Sequence, residues 1–148
     1  MRFFVRRTAA IALGLTLVSG CSVYPKLVIL NNSGSDLVVQ VYDRETGQWD
    51  RRDVQIGHGE RRKLIFGTVV QPDGRIRVAR AGCRHEFALP EGRSAYSPQG
   101  SSLVAVVQIE PDLGAYLRPD GHTALPRAQL DALQKPGYPA RPVRSDCS

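Results

Sequence analysis

The sequence predicts a small, mostly β protein, an antiparallel β-sandwich, on three observations. Short runs of β-branched and aliphatic residues recur along the chain, each closed by Gly, Pro, Asn or Asp. The turn signals come roughly every 8 to 12 residues, the spacing of sandwiches and barrels. Arg75-Ile76-Arg77-Val78 alternates strictly, which puts two aliphatic side chains on one face of a strand and two arginines on the other. A chain of 148 residues has room for one such domain.

The elements follow in order. Residues 26–30 are an apolar run stopped by the turn cluster Asn31-Asn32-Ser33-Gly34-Ser35-Asp36, and residues 37–42 resume with β-branched side chains. The two read as a hairpin or as a sandwich corner. A turn at residues 43–47 leads to residues 49–56, whose apolar members are Trp49, Val54 and Ile56. Gly57-His58-Gly59-Glu60 punctuates the chain again, and residues 61–70 follow with a bulge or break expected at Gly67. Gln71-Pro72-Asp73-Gly74 is a turn, since proline presets φ and glycine admits a positive one. After the alternating segment, Ala81-Gly82 turns the chain into residues 83–89, where Cys83, His85, Phe87 and Leu89 share a face. Residues 90–101 form a loop rich in Gly, Pro and Ser. Residues 102–109 contain Leu103-Val104-Ala105-Val106-Val107, the composition of a strand buried on both faces. A short strand at residues 115–117 precedes the Pro119-Asp120-Gly121 turn. About seven or eight strands of this kind suit an Ig- or transthyretin-like sandwich over residues 26–118.

Residues 119–148 differ in character. Pro126 fits the first turn of a helix and Leu130 and Leu133 fall three apart, so residues 126–134 are expected to be a short helix. Pro136, Pro139 and Pro142 then repeat every third residue, the period of polyproline II. This Pro-rich C-terminal tail is either a segment offered to a partner or an extended tail packed on its own domain.

The N-terminus carries an address. Residues 1–7 hold Arg2, Arg6 and Arg7 and no acid, and residues 8–18 are uncharged and apolar, the two regions of an export signal. A spanning helix needs about 20 apolar residues, so this run is too short for a permanent anchor. Val18-Ser19-Gly20-Cys21 then resembles the lipobox of bacterial lipoproteins: an aliphatic residue, two small ones, and cysteine. The resemblance covers residues 1–22. It implies that residues 1–20 are a lipoprotein signal peptide, that Cys21 receives a diacylglyceryl group through a thioether, and that cleavage makes Cys21 the first residue, commonly acylated on its new amino group with a chain such as palmitate. In Gram-negative lipoproteins an aspartate after the cysteine favours retention at the inner membrane. Ser22 stands there instead, which implies the outer membrane, facing the periplasm, with residues 21–25 as a short tether.

Removing the signal leaves 17 basic and 14 acidic residues, a net charge of +3, too little to point to nucleic acid. With Cys21 assigned to lipid, Cys83 and Cys147 remain as an even pair in an oxidising compartment and are expected to be bridged. Two free thiols, or a metal pair with His85, are the alternatives. A metal site needs three or four ligands, and His58 and His122 lack suitable spacing, so neither a metal nor any other cofactor is expected. His58 and His122 stand beside turn glycines, and His85 shares an inner face with Phe87. Ser94, Ser97, Ser101 and Ser102 show no nucleophile elbow, and no glycine-rich turn opens a helix to cradle phosphate. No catalytic residue is therefore assigned.

The remaining chemistry is basic. Arg51, Arg52, Arg61, Arg62, Lys63, Arg75 and Arg77 are expected to align across neighbouring strands into a face for anionic headgroups or a polyanionic glycan, or to be the solvated faces of strands. The overall expectation is a lipid-anchored binding or structural module of the cell envelope, with a protein or glycan partner. Two alternatives stand beside it: an envelope hydrolase or metal-dependent enzyme, and a subunit of a secretion or envelope assembly. The stretch Val38-Val39-Gln40-Val41-Tyr42-Asp43 resembles an early strand of the small sandwich lipoproteins of type VI secretion, and the resemblance is confined to that strand.

Overall fold

Alternating strands with one apolar face must cover that face, and here two sheets cover each other. The computed structural model describes residues 24–43, 46–65, 74–89, 97–99 and 102–147. The signal with Cys21, the break expected at Gly67, the turn at residues 71–73 and most of the loop at residues 90–101, with Ser94 and Ser101, lie outside the described residues.

In chain order the strands are β1 (Tyr24–Asn31), β2 (Leu37–Asp43), β3 (Gln48–Trp49), β4 (Val54–Ile56), β5 (Arg61–Ile65), β6 (Arg75–Arg80), β7 (Cys83–Ala88), β8 (Ser97–Gln99), β9 (Ser102–Ile109), β10 (Ala115–Leu117) and β11 (Pro142–Cys147). One helix, α1 (Arg127–Leu133), lies between β10 and β11. The first sheet runs β10-β9-β1-β5, with β8 beside the start of β9. The second runs β11-β7-β6-β2-β3, with β4 beside the start of β2. Among the described residues, every pairing is antiparallel except β1 with β9, which run side by side from Tyr24↔Ser102 to Asn31↔Ile109. Residues 32–36 are a corner and not a hairpin, because β1 and β2 belong to different sheets.

The core lies between the sheets. Leu27, Ile29, Ala105, Val107 and Ile109 face Leu37, Val39, Ile76, Val78 and Phe87, and burial of each large aliphatic contributes about 1.5–3 kcal/mol. β1 and β9 are buried on their outer face as well, where Val28, Val104 and Val106 form a second apolar group. That double burial explains why their sequences are nearly continuous apolar runs. α1 lies beside β10: Leu130 is fully buried, and the Gln134 side chain both accepts from the Leu117 amide and donates to the Leu117 carbonyl. Leu133, expected on the same buried side, is instead 40% exposed, since a two-turn helix at a sheet edge buries only one of the pair.

Three further expectations are corrected. Residues 49–56 form two short strands separated by a bend, not one. The sandwich does not end at residue 118, because β11 is the edge strand of the second sheet. The proline spacing is not polyproline II, a form without internal hydrogen bonds: the Tyr138 amide donates to the Lys135 carbonyl in a turn, Ala140 bridges Ala115, and β11 pairs with β7. The tail is packed on its own domain. Its last register pair is Cys147↔Cys83, with the two sulfur atoms at bonding distance.

Candidate functional site

The outer face of the second sheet holds the densest polar arrangement. β6 alternates, so with Ile76 and Val78 in the core Arg75 and Arg77 must point outward. The same rule turns Tyr42 outward on β2, and the turn after β2 sets Trp49 directly across from it. Their rings meet edge to face, 5.3 Å between centroids and 68° between planes, an arrangement that suits the aromatic quadrupoles. The Arg75 guanidinium lies 4.9 Å from the Tyr42 centroid, and that of Arg77 lies 4.1 Å from the Trp49 centroid.

Glu86, across from Arg77 on β7, ties the cations together. Its carboxylate accepts from Arg77 at 2.6 Å and from Arg75 at 3.3 Å. The hydrogen bond from Arg77 leads in holding the Glu86 carboxyl below its ordinary value; burial opposes it, and the charges of Arg77, Arg75 and Arg144 assist. Two guanidiniums therefore face one carboxylate, and the cluster keeps a net positive charge with its aromatic rings half-buried. Such a surface suits an anionic, partly apolar partner: the charge attracts and the rings supply contact area.

The seven cations expected on one face do not share it. Arg75 and Arg77 belong to the cluster. Arg51 and Arg52 lie exposed between β3 and β4, where Asp50 accepts from Arg52 at 3.0 Å. Arg61, Arg62 and Lys63 are on β5 in the other sheet: Arg61 pairs with Asp120 at 2.6 Å beside His122, Arg62 pairs with Glu60 at 3.4 Å, and Lys63 borders a hollow with Asp50 and Arg52. Local alternation could not reveal that β5 and β6 pair in different sheets. Tyr42, Trp49 and Glu86 complete the cluster without a site motif of their own in the sequence. Their signal was the aromatic pair flanking the turn at residues 43–47, but its arginine partners come from strands distant in sequence.

A second polar group is structural. Arg118, 8% exposed, donates to Gln108 Oε1 at 3.0 Å and to the carbonyls of Thr123 and Pro119. Gln108 in turn accepts from the Leu125 amide and donates to the Leu125 carbonyl and to Glu110, which also accepts from Asn32. The network clasps the segment before α1 against β9. Burial leads in pulling the Arg118 guanidinium below its ordinary value, with Arg61 adding to it and Asp120 opposing.

The histidines lie apart. His58 is exposed and accepts from the Gly34 amide at 3.3 Å, and His122 is exposed beside Arg61. His85 is buried with its Nδ1 2.8 Å from Ser145 Oγ, and burial, then Arg80, lowers its tendency to protonate. Ser97 is exposed on β8, whereas Ser102 is buried and accepts from Lys26. Among the described residues, no three His, Cys, Asp or Glu side chains converge as a metal site would require. No family model, curated protein or solved structure matches this chain.

Proposed function

We propose that this chain is a lipid-anchored module of the cell envelope, held at the outer membrane through Cys21 and facing the periplasm, that binds a partner or supports an assembly and catalyses no reaction. The lipobox-like Val18-Ser19-Gly20-Cys21 carries this reading. Two structural facts support it. β1 begins at Tyr24, three residues after Cys21, which leaves a tether and no independent N-terminal unit between anchor and domain. The Cys83 and Cys147 sulfurs lie at bonding distance, which suits an oxidising compartment. The functional surface is then the Tyr42, Trp49, Arg75, Arg77 and Glu86 cluster, whose charge and rings fit an anionic partner. Labelling cells with radioactive palmitate tests the anchor. Incorporation into the wild-type chain, its recovery with membranes, and the loss of both in Cys21→Ala are the expected results; an unlabelled wild-type chain would reject the reading.

A further inference from the structure

We infer that the end of the sandwich bearing Tyr42, Trp49, Arg75 and Arg77 docks on anionic lipid headgroups of the bilayer that holds the anchor, an inference that rests on lipidation of Cys21. The register places this end. β1 starts with the pairs Tyr24↔Ser102 and Lys26↔Ile65, and Leu27 stands opposite Leu64 on β5. After the corner at residues 32–36 the chain returns along β2 in the other sheet, so β2 ends where β1 begins. Leu64 and Lys63 border the same hollow as Val41 near the end of β2, which sets that end of β2 beside the stretch of β5 paired with Leu27 and Val28. Trp49 pairs with Tyr42, and β6 starts beside them at Arg75.

Tether and charge then agree. Three residues from Cys21 to Tyr24 span at most about 10 Å, and facing sheets lie about 10 Å apart. The foot of the second sheet is therefore at most about 20 Å from the anchored residue, so a tilt of the domain on its tether brings these cations within a Debye length, about 8 Å at physiological ionic strength, of the headgroup layer. Among the described residues at this end, Lys26, Lys63, Arg75 and Arg77 stand with Asp43, Asp50, Asp53 and Glu86, of which Asp50 is engaged by Arg52, Asp53 by Gln40 and Glu86 by the two arginines. At the far end Arg62 is paired with Glu60, and Arg127 and Arg141 with Asp112. Tryptophan and tyrosine ringed by cations are suited to a layer that is apolar on one side and anionic on the other.

Trp49 is the only tryptophan of the chain, so its fluorescence reports this end alone. The full processed protein is reconstituted in vesicles carrying a headgroup nitroxide quencher, either phosphatidylglycerol with phosphatidylethanolamine or phosphatidylcholine alone, and flotation scores attachment. The expected result is flotation with both, with quenching at least twofold stronger in the anionic vesicles and reduced at least twofold by Arg75→Gln with Arg77→Gln. Flotation with equal quenching of the wild-type chain in the two lipids would overturn the docking while leaving the anchor standing. Failure to float would overturn the anchor and the docking with it.

Discussion

Arg77 lies over Trp49, 4.1 Å from guanidinium carbon to ring centroid, while the same guanidinium donates to Glu86 at 2.6 Å. The three side chains come from β3, β6 and β7, so the contact exists only once the second sheet has assembled. It gives the outer face a fixed cationic surface, since the carboxylate positions both arginines and the rings cover one side of each.

Glu86→Gln keeps the shape of the cluster and removes its negative charge. Because the arginines are partly solvated, the pair is screened, and the expected cost is about 1 kcal/mol or less. Urea unfolding measures it. A larger binding response to anionic surfaces is expected alongside, because the cluster gains a full positive charge; unchanged binding would show that this face does not meet the partner.

Acid should lower the stability of the domain in two stages. Burial, then Arg80, lower the His85 imidazole below its ordinary value of 6.5, so on acidification the unfolded chain takes up this proton more readily than the folded chain. Stability from this group is full above the unfolded value of 6.5 and declines as pH falls through it toward the lower folded value. Glu86 and Asp112 are also lowered; at Asp112 burial is the largest single influence and raises it, but the Gly114 amide, Arg127 and Arg141 together outweigh it, so the contribution of both carboxylates is lost at still lower pH. His85→Gln should erase the upper stage of a plot of unfolding midpoint against pH, and its persistence would assign that stage elsewhere.

The Cys83 to Cys147 bridge closes a loop of 64 residues across β7 and β11. Replacing both cysteines by serine should lower stability by at most about 4 kcal/mol, the chain-entropy expectation for a loop of that length. Denaturation of the wild-type chain with and without reductant should give the same difference, and the double-serine variant should not respond to reductant.

Arg118→Met removes the centre of the Gln108 network and leaves the Thr123 and Pro119 carbonyls without that donor. A cost of roughly 2–4 kcal/mol is expected. Amide exchange at Leu125, which is held by Gln108, should accelerate. If exchange there stays slow, the clasp does not depend on Arg118.

Some of this was legible in the sequence and some was not, for physical reasons. The alternation at residues 75–78 and the unbroken apolar run at 103–107 report side-chain burial directly, and the structure places them in a half-solvated strand and a doubly buried one. The position of the helix followed from Pro126 and Leu130. Pairing is different: nothing local in Lys26-Leu27-Val28-Ile29-Leu30 says that it lies parallel to residues 104–108, or that β5 and β6 belong to different sheets. The prolines misled because a spacing of three suits polyproline II as well as a turn followed by an edge strand. The cluster was half visible, as arginines opposite Ile76 and Val78, but Trp49 reads only as one more apolar residue until its strand neighbours are known.

The central claim is the anchor at Cys21, and mass spectrometry of the N-terminal peptide from the membrane-fractionated protein tests it most directly. The account predicts a chain whose first residue is Cys21, bearing diacylglycerol on its sulfur. A mature chain that begins elsewhere, or a Cys21 with an unmodified thiol, would contradict it.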